Sequence, residues 1–194
     1  MPDNARMNPS PTSLLRRHWL WGLGAAAAAA GAGVAWWRLQ PGEALPQAVQ
    51  SFWQQRFEPP GGGVLDMAAF RGKPLLVNFW ATWCPPCKEE LPSLQTLHDI
   101  GGGDLMVIGI NVRETATRVR RYVESTGLGF PVVLDPQAEM AKRYGVTAFP
   151  TTLLIAPDGR VRWRVLGEVD WSGAEAGRWI AELSASAGAA PSRR

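Results

Sequence analysis

Two cysteines, Cys84 and Cys87, are the only thiols of this 194-residue chain, and both lie in the stretch Trp-Cys-Pro-Pro-Cys. Three kinds of chemistry use such a pair: a structural disulfide, a metal site and a thiol–disulfide exchange centre. A structural disulfide is disfavoured, because a domain of this size has its own core and so short a ring constrains little of the unfolded chain.

A metal site is disfavoured by the supply of ligands. Zinc or copper needs more than two thiolates, and the chain has two histidines, His18 and His98. His18 precedes an apolar N-terminal run, and His98 is expected several turns along the helix that carries Cys87. The sequence therefore predicts no metal and no cofactor.

A redox pair agrees with the local structure that the sequence predicts. The apolar run PLLVNFWA predicts a buried strand, and a helix is predicted from Pro85 to about Ile100. Cys84 would then stand at the helix N-terminus, where free N–H groups and the helix dipole favour a thiolate. Cys87, one turn further on, could resolve a mixed disulfide formed on Cys84.

The rest of the pattern predicts an α/β sandwich. A hairpin is expected around residues 52–57 and 64–66. Further strands are predicted in LMVIGINV, FPVVLD, TTLLIA and VRWRVLG, the last two joined by an Asp-Gly turn. Helices are predicted in TATRVRRYVEST, in PQAEMAKRYG beginning at its proline, and over about residues 172–184. This order of elements predicts one sheet with a parallel half and an antiparallel half.

The N-terminal part predicts export. Arg16 and Arg17 precede an uncharged run from Trp19 to Trp37, which as a helix would be about 28 Å long and just able to cross a bilayer. Basic residues before such a run predict a cytoplasmic N-terminus and an exported domain. Its Ala/Gly-rich middle also suits a cleaved signal. A retained anchor and a cleaved signal both stay open, and both place the domain in the periplasm.

These boundaries predict five segments: a cytoplasmic tail at 1–18, an anchor or signal at 19–37, a linker at 38–62, the folded domain at 63–186 and a disordered tail at 187–194. The net charge is +3, and the basic residues form no stripe interleaved with aromatic residues. A nucleic-acid partner is therefore not expected.

Four segments together, LLVNFWATWCPPCKEELP, INVRET, FPVVLD and VTAFPTTLLIAPDGRV, resemble the TlpA/ResA-like membrane-anchored thioredoxins of bacteria. The resemblance runs from about Val64 to the last helix. It implies a thioredoxin fold, with a central mixed sheet flanked by helices. It also implies an extracytoplasmic thiol–disulfide oxidoreductase, such as a reductant in cytochrome c maturation or respiratory oxidase assembly. The implied partners are a disulfide-bearing client protein and a thiol-reductant donor in the inner membrane.

The resemblance also implies roles for individual residues. Cys84 is the attacking thiol and Cys87 the resolving thiol. Pro150 is the cis-proline that faces the disulfide and shapes the client-binding groove, with Phe149 and Thr151 beside it.

Residues next to the cysteines are given simpler roles. Trp83 is expected to pack beside the cysteines, to shield them and to take part in client binding. Lys88, Glu89 and Glu90, which follow the second cysteine, are expected on a solvated face of the helix.

Glu114, in INVRET, matches the acidic residue that the family carries near its active site. Partly buried near Cys87, it could accept the proton of the resolving thiol. As an exposed residue in a first helical turn it would have no such role. Ordinary thioredoxins commonly carry a buried aspartate where this chain has Asn78, and an amide cannot exchange a proton, which leaves Glu114 as the candidate.

The prolines between the cysteines bear on the direction of electron transfer. Pro85 and Pro86 supply neither an N–H donor nor a positive charge, so the Cys84 thiolate is expected to be only moderately stabilised, as in a reductant. Two rival functions stay open. A thiol peroxidase is disfavoured because Thr82 lies two residues before Cys84 rather than three. A copper-delivery module is disfavoured because no histidine follows His98.

Overall fold

The structure is a computed structural model that describes residues 52–185. The predicted tail at 1–18, the anchor or signal at 19–37 and the tail at 187–194 lie outside the described residues, as does most of the linker predicted at 38–62. Within residues 52–185, no helix is long and apolar enough to cross a membrane.

A five-stranded mixed sheet lies at the centre of the domain. Its strands are β3 (Leu75–Trp80), β4 (Met106–Val112), β5 (Val132–Asp135), β6 (Thr151–Ile155) and β7 (Val161–Leu166), in the order β5-β4-β3-β6-β7. Strand β4 runs parallel to β3 and β5, whereas β6 is antiparallel to β3 and β7. The predicted division into a parallel half and an antiparallel half is confirmed.

Helices cover both faces of this sheet. They are α1 (Pro85–Gly101), α2 (Ala116–Thr126), α3 (Glu139–Arg143) and α4 (Ala174–Ala185). Apolar residues of α1, α2 and α4 pack on one face with Leu76 and Trp80 of β3. Residues of α3 and of the segment 52–67 pack on the other face with Val77 and Phe79. Since side chains alternate along a strand, β3 contributes to both cores and is buried along its whole length.

The predicted hairpin near the start of the domain is present. Strand β1 (Arg56–Phe57) pairs antiparallel with β2 (Leu65–Asp66). Phe52, Trp53 and Phe57 are buried in the core. The linker predicted to reach residue 62 is therefore wrong at its C-terminal end, because these aromatic residues cover one face of the sheet.

The helix predicted in PQAEMAKRYG is shorter than expected. Pro136 lies in a turn before α3, and Ala138 adopts a left-handed conformation with φ 56°. The carboxylate of Asp135 accepts hydrogen bonds from the N–H groups of Glu139 at 2.8 Å and Ala141 at 2.9 Å. The helix therefore begins where Asp135 can cap its free N–H groups, three residues later than the proline suggested.

Candidate active site

The two cysteines lie at the start of α1, directly after β3, and form a disulfide with their Cα atoms 5.3 Å apart. Cys84 is the N-cap residue, and its Sγ accepts a hydrogen bond from the N–H of Cys87 at 3.3 Å. Because Pro85 and Pro86 carry no N–H, this donor is the first that the helix offers. Cys84 is 3% exposed and Cys87 is fully buried, so Cys84 is the more exposed of the two cysteines.

Trp83 directly precedes Cys84 and is 57% exposed, and its shielding of the cysteines stays a prediction. Its ring makes an edge-to-face contact with Phe149, with ring centroids 5.9 Å apart. These two rings together form an aromatic surface next to Cys84.

The bond between Phe149 and Pro150 is cis, as predicted. Phe149 packs against the same apolar cluster that contains both cysteines. Thr151 begins β6 and pairs with Phe79 of β3, which brings the proline loop beside the strand that leads to Cys84. Thr151 is buried and donates its hydroxyl to the Ala148 carbonyl at 2.8 Å, so it supports the loop from within.

Glu114 is buried between β4 and α2, so the alternative of an exposed helical residue does not hold. Its carboxylate accepts hydrogen bonds from the N–H and the hydroxyl of Thr82, each at 2.6 Å, and from Asn111 Nδ2 at 2.8 Å. Arg118 Nε lies 2.9 Å from its Oε1. Glu114 therefore contacts Thr82, which lies two residues before Cys84. Proton transfer by Glu114 stays a prediction.

Glu90 is the residue that the sequence analysis misplaced. Lys88 and Glu89 are exposed as expected, but Glu90 is only 1% exposed. Helix α1 turns Cys87, Glu90 and Leu94 toward the sheet, because residues three and four apart share one face. That spacing is the signal in the sequence that could have identified a buried glutamate on the same helical face as Cys87.

Three neutral groups from two parts of the chain hold the Glu90 carboxylate. Asn78 Nδ2, from β3, donates to Oε1 at 2.6 Å and to Thr152 Oγ1 at 2.9 Å. The Val169 N–H and Trp171 Nε1 each donate to Oε2 at 3.3 Å. Asn78 therefore does not exchange a proton itself but contacts a group that can.

Burial raises the pKa of Glu90 from its ordinary value of 4.5 to about 7. The hydrogen bonds from Asn78, Trp171 and the Val169 backbone oppose this rise, and the negative charge of Glu168 adds to it. A carboxyl group with such a pKa can take up and release a proton near neutral pH. Its position, three residues after Cys87, puts it on the same helical face as the resolving thiol.

Metal ligands do not gather in the described part of the chain. Within residues 52–185, no group of three or more histidine, cysteine, aspartate or glutamate side chains could hold a metal ion. His98 packs its ring against Phe130, with ring centroids 6.3 Å apart.

Comparison with protein families and curated proteins gives consistent matches. A family model described as Redoxin matches residues 40–177. The thiol-disulfide oxidoreductase ResA of Bacillus subtilis is 38% identical over 106 residues, which cover 54% of this chain and 59% of that protein. ResA of Geobacillus thermodenitrificans is 38% identical over 99 residues, 50% of this chain and 57% of that protein. The chain thus spans less than two thirds of the length of these relatives.

Solved structures share the fold. A thiol:disulfide interchange protein DsbE from Chlorobium tepidum aligns with a TM-score of 0.64 at 21% identity, over 75% of this chain and 99% of that one. StoA from Bacillus subtilis aligns with a TM-score of 0.56 at 26% identity, over 66% of this chain and 95% of that one. The predicted thioredoxin fold is confirmed.

Proposed function

Because this chain belongs to the redoxin family, we propose that it is a thiol–disulfide oxidoreductase that reduces disulfides in client proteins. The observation that carries the proposal is the Cys84–Cys87 disulfide at the first turn of α1. An exposed aromatic surface next to Cys84 supports it, as does the similarity to relatives named thiol-disulfide oxidoreductase.

Cys84 is the attacking thiol, because it is the more exposed of the two cysteines. In the reduced protein its thiolate is stabilised by the N–H of Cys87 and by the positive end of the helix dipole. The thiolate attacks one sulfur of the client disulfide and forms a mixed disulfide. The other client sulfur leaves as a thiolate.

Cys87 resolves this mixed disulfide, and Glu90 takes its proton. The Cys87 thiolate attacks the Cys84 sulfur, the Cys84–Cys87 disulfide forms, and the second client sulfur leaves as a thiolate. Two electrons pass from the dithiol to the client. Glu90 is a stronger candidate for proton acceptor than Glu114, because it lies on the helical face of Cys87 and its pKa is about 7.

The direction of transfer follows from the weak stabilisation of the Cys84 thiolate. A strong oxidant holds its reduced form with several donors or with positive charge. Here Pro85 and Pro86 offer neither, and the Cys87 N–H is the donor to the sulfur. This arrangement supports a reductant.

The client binds across the aromatic surface and the proline loop. Trp83 and Phe149, whose rings contact each other, offer one apolar surface to an extended client segment. Pro150 and Thr151 are buried and support this loop from the interior of the domain. Client recognition therefore depends more on Trp83 and Phe149 than on Thr151.

The domain works outside the cytoplasm. The N-terminal segment 19–37 acts as its membrane anchor or export signal, and a thiol donor in the inner membrane keeps the pair reduced. Apocytochrome c or a subunit of a respiratory oxidase is the client class that the resemblance to ResA-type proteins suggests.

The test is stoichiometric reduction of insulin by the reduced full-length protein, with the Cys84→Ser variant as control. We expect Cys84-dependent reduction and a potential near that of thioredoxin, about −270 mV, rather than that of a strong periplasmic oxidant, about −120 mV. A parallel assay with hydrogen peroxide separates a peroxidase from a reductase. Fast peroxide consumption without insulin reduction would refute the proposal.

A further inference from the structure

The turn that leads from β3 to α1 is short, and Cys84 closes it. The N–H of Cys84 donates to the carbonyl of Ala81 at 3.2 Å, which leaves Thr82 and Trp83 as the two central residues. Trp83 is mostly exposed, whereas Thr82 is buried. The placement of Cys84 therefore depends on the groups that hold Thr82.

Glu114 holds both polar groups of Thr82. Its Oε2 accepts the Thr82 N–H and its Oε1 accepts the Thr82 hydroxyl, each at 2.6 Å. Asn111 Nδ2 also donates to Oε2, at 2.8 Å. An ionised carboxylate suits this role, because both of its oxygens are acceptors and a protonated one would have to donate.

Arg118 contacts both partners of this interaction. Its Nε donates to Thr82 Oγ1 at 2.9 Å and lies 2.9 Å from Glu114 Oε1. The other charged groups of neighbouring segments are directed elsewhere: Arg113 is exposed, and the carboxylate of Asp135 caps α3. Within residues 52–185, Arg118 is the cation that contacts the Glu114 carboxylate.

We propose that Arg118 is a positioning residue for the attacking thiol: it compensates the buried charge of Glu114, binds Thr82, and so fixes the turn that ends in Cys84. The inference rests on the proposed function, because the placement of Cys84 matters for catalysis only if that thiol attacks a client. It also gives Glu114 a role different from proton transfer, since both residues act through Thr82.

The two side chains of the ion pair differ in burial, so the pair should contribute more to holding the turn than a pair between two exposed side chains. The Arg118 side chain is 62% exposed, whereas that of Glu114 is 3% exposed. Removing Arg118 would leave a buried carboxylate without its cation, and an uncompensated buried charge is costly. The turn around Thr82 should then be held less well.

A loosened turn would affect Cys84, because the backbone connects Thr82 to Cys84. Its thiolate is stabilised by the Cys87 N–H, and that contact requires the turn to stay in place. A looser turn shifts Cys84 from thiolate toward thiol. Its reactivity toward an alkylating reagent should fall with it.

The experiment measures Cys84 alkylation by iodoacetamide in the reduced full-length protein, with the modified site identified by mass spectrometry. The variants are Arg118→Leu, Arg118→Lys, Glu114→Gln and the double variant of Arg118→Leu with Glu114→Gln. Arg120→Leu is the matched control, because Arg120 lies on the same helix and its ion pair, with Glu124 at 4.0 Å, is exposed on both sides.

Arg118→Leu should react about tenfold more slowly than wild type, because hydrogen bonds to buried charges are strong. Arg118→Lys should recover most of the rate, since it restores the cation. Arg120→Leu should match wild type. On the Glu114→Gln background, loss of Arg118 should have a smaller effect.

Equal rates for Arg118→Leu and Arg120→Leu at every pH would overturn the proposal, as would a loss that Arg118→Lys does not recover. Should Arg118→Leu fail to fold by circular dichroism, Arg118→Gln takes its place with the same criteria. Alkylation needs no client. If wild-type protein is alkylated normally but reduces no insulin, the proposed function is refuted. The alkylation rates of the variants still test the role of Arg118.

Discussion

Two buried glutamates flank the cysteine pair, Glu90 on α1 and Glu114 just before α2, and the chain holds them in different ways. Glu114 contacts a cation, Arg118, and accepts hydrogen bonds from Thr82 and Asn111. Within residues 52–185, Glu90 accepts hydrogen bonds from neutral groups alone, and burial raises its pKa to about 7.

The difference separates two tasks that one carboxyl group could not perform together. A carboxylate that positions a turn must keep its charge, and a nearby cation favours that state. A carboxylate that transfers protons must lose its charge easily near neutral pH, and burial without a cation favours that behaviour. The comparison therefore supports the proposed positioning role for Glu114 and the proposed proton transfer by Glu90.

The largest expected effect is on the rate at which Cys87 resolves the mixed disulfide. Replacing Glu90 with Gln removes the proton acceptor but keeps the shape, so this rate should fall about a hundredfold, at the low end for loss of a general base. The measurement is stopped-flow release of a client thiol at several pH values. In wild type the rate should rise with pH through about 7, the pKa of Glu90.

The matched control is Glu89→Gln, which changes the exposed neighbour on the same helix. It should keep the wild-type rate and pH dependence. If the Glu89 and Glu90 variants behaved alike, proton transfer by Glu90 would be excluded.

A second expected effect concerns the free energy of unfolding of the oxidised protein. Between about pH 4.5 and pH 7 the folded protein keeps the proton on Glu90 while the unfolded chain releases it. The folded state binds more protons, so its stability falls as the pH rises, by about 3 kcal/mol across this window.

Urea unfolding at pH 5 and pH 7.5 checks this effect. Glu90→Gln should lack the pH-dependent loss and be the more stable protein at the higher pH. A Gln variant with the same pH dependence as wild type would show that Glu90 is not the titrating group.

A smaller effect is expected from Asn78→Ala, which removes the shortest hydrogen bond to Glu90. That bond favours the charged carboxylate, so its loss should move the midpoint of the rate–pH profile upward by about one pH unit. Thr152→Val is the control, because it removes the other contact of Asn78 and leaves Glu90 bonded. An unchanged midpoint in Asn78→Ala would contradict the role given to that amide.

The same two glutamates show what the sequence could predict. Buried strands, an Asp-Gly hairpin turn and a cysteine pair at a helix start are local signals, and they predicted the sheet, α1 and the place of the redox pair. The cis-proline followed from the resemblance to a family. Each of these features depends on residues close together in the chain or on a recognisable motif.

The environment of Glu90 could not be predicted in that way. Its Val169 and Trp171 donors come from a segment about 80 residues later, which lies against α1 only in the folded domain. In the stretch KEEL, the adjacent residues Glu89 and Glu90 are typical of a solvent-exposed helix face. Only their spacing from Cys87 distinguishes the buried Glu90 from the exposed Glu89. The contact between Glu114 and Thr82 likewise joins two turns that are 32 residues apart.

The central claim is that Cys84 attacks a client disulfide and Cys87 resolves it. Its most direct test is the reduced full-length Cys87→Ala variant, mixed with insulin and analysed by non-reducing mass spectrometry. We predict a stable mixed disulfide between Cys84 and an insulin chain, and none with Cys84→Ala. A stable adduct on Cys87 in the Cys84→Ala variant, with none on Cys84, would contradict the account.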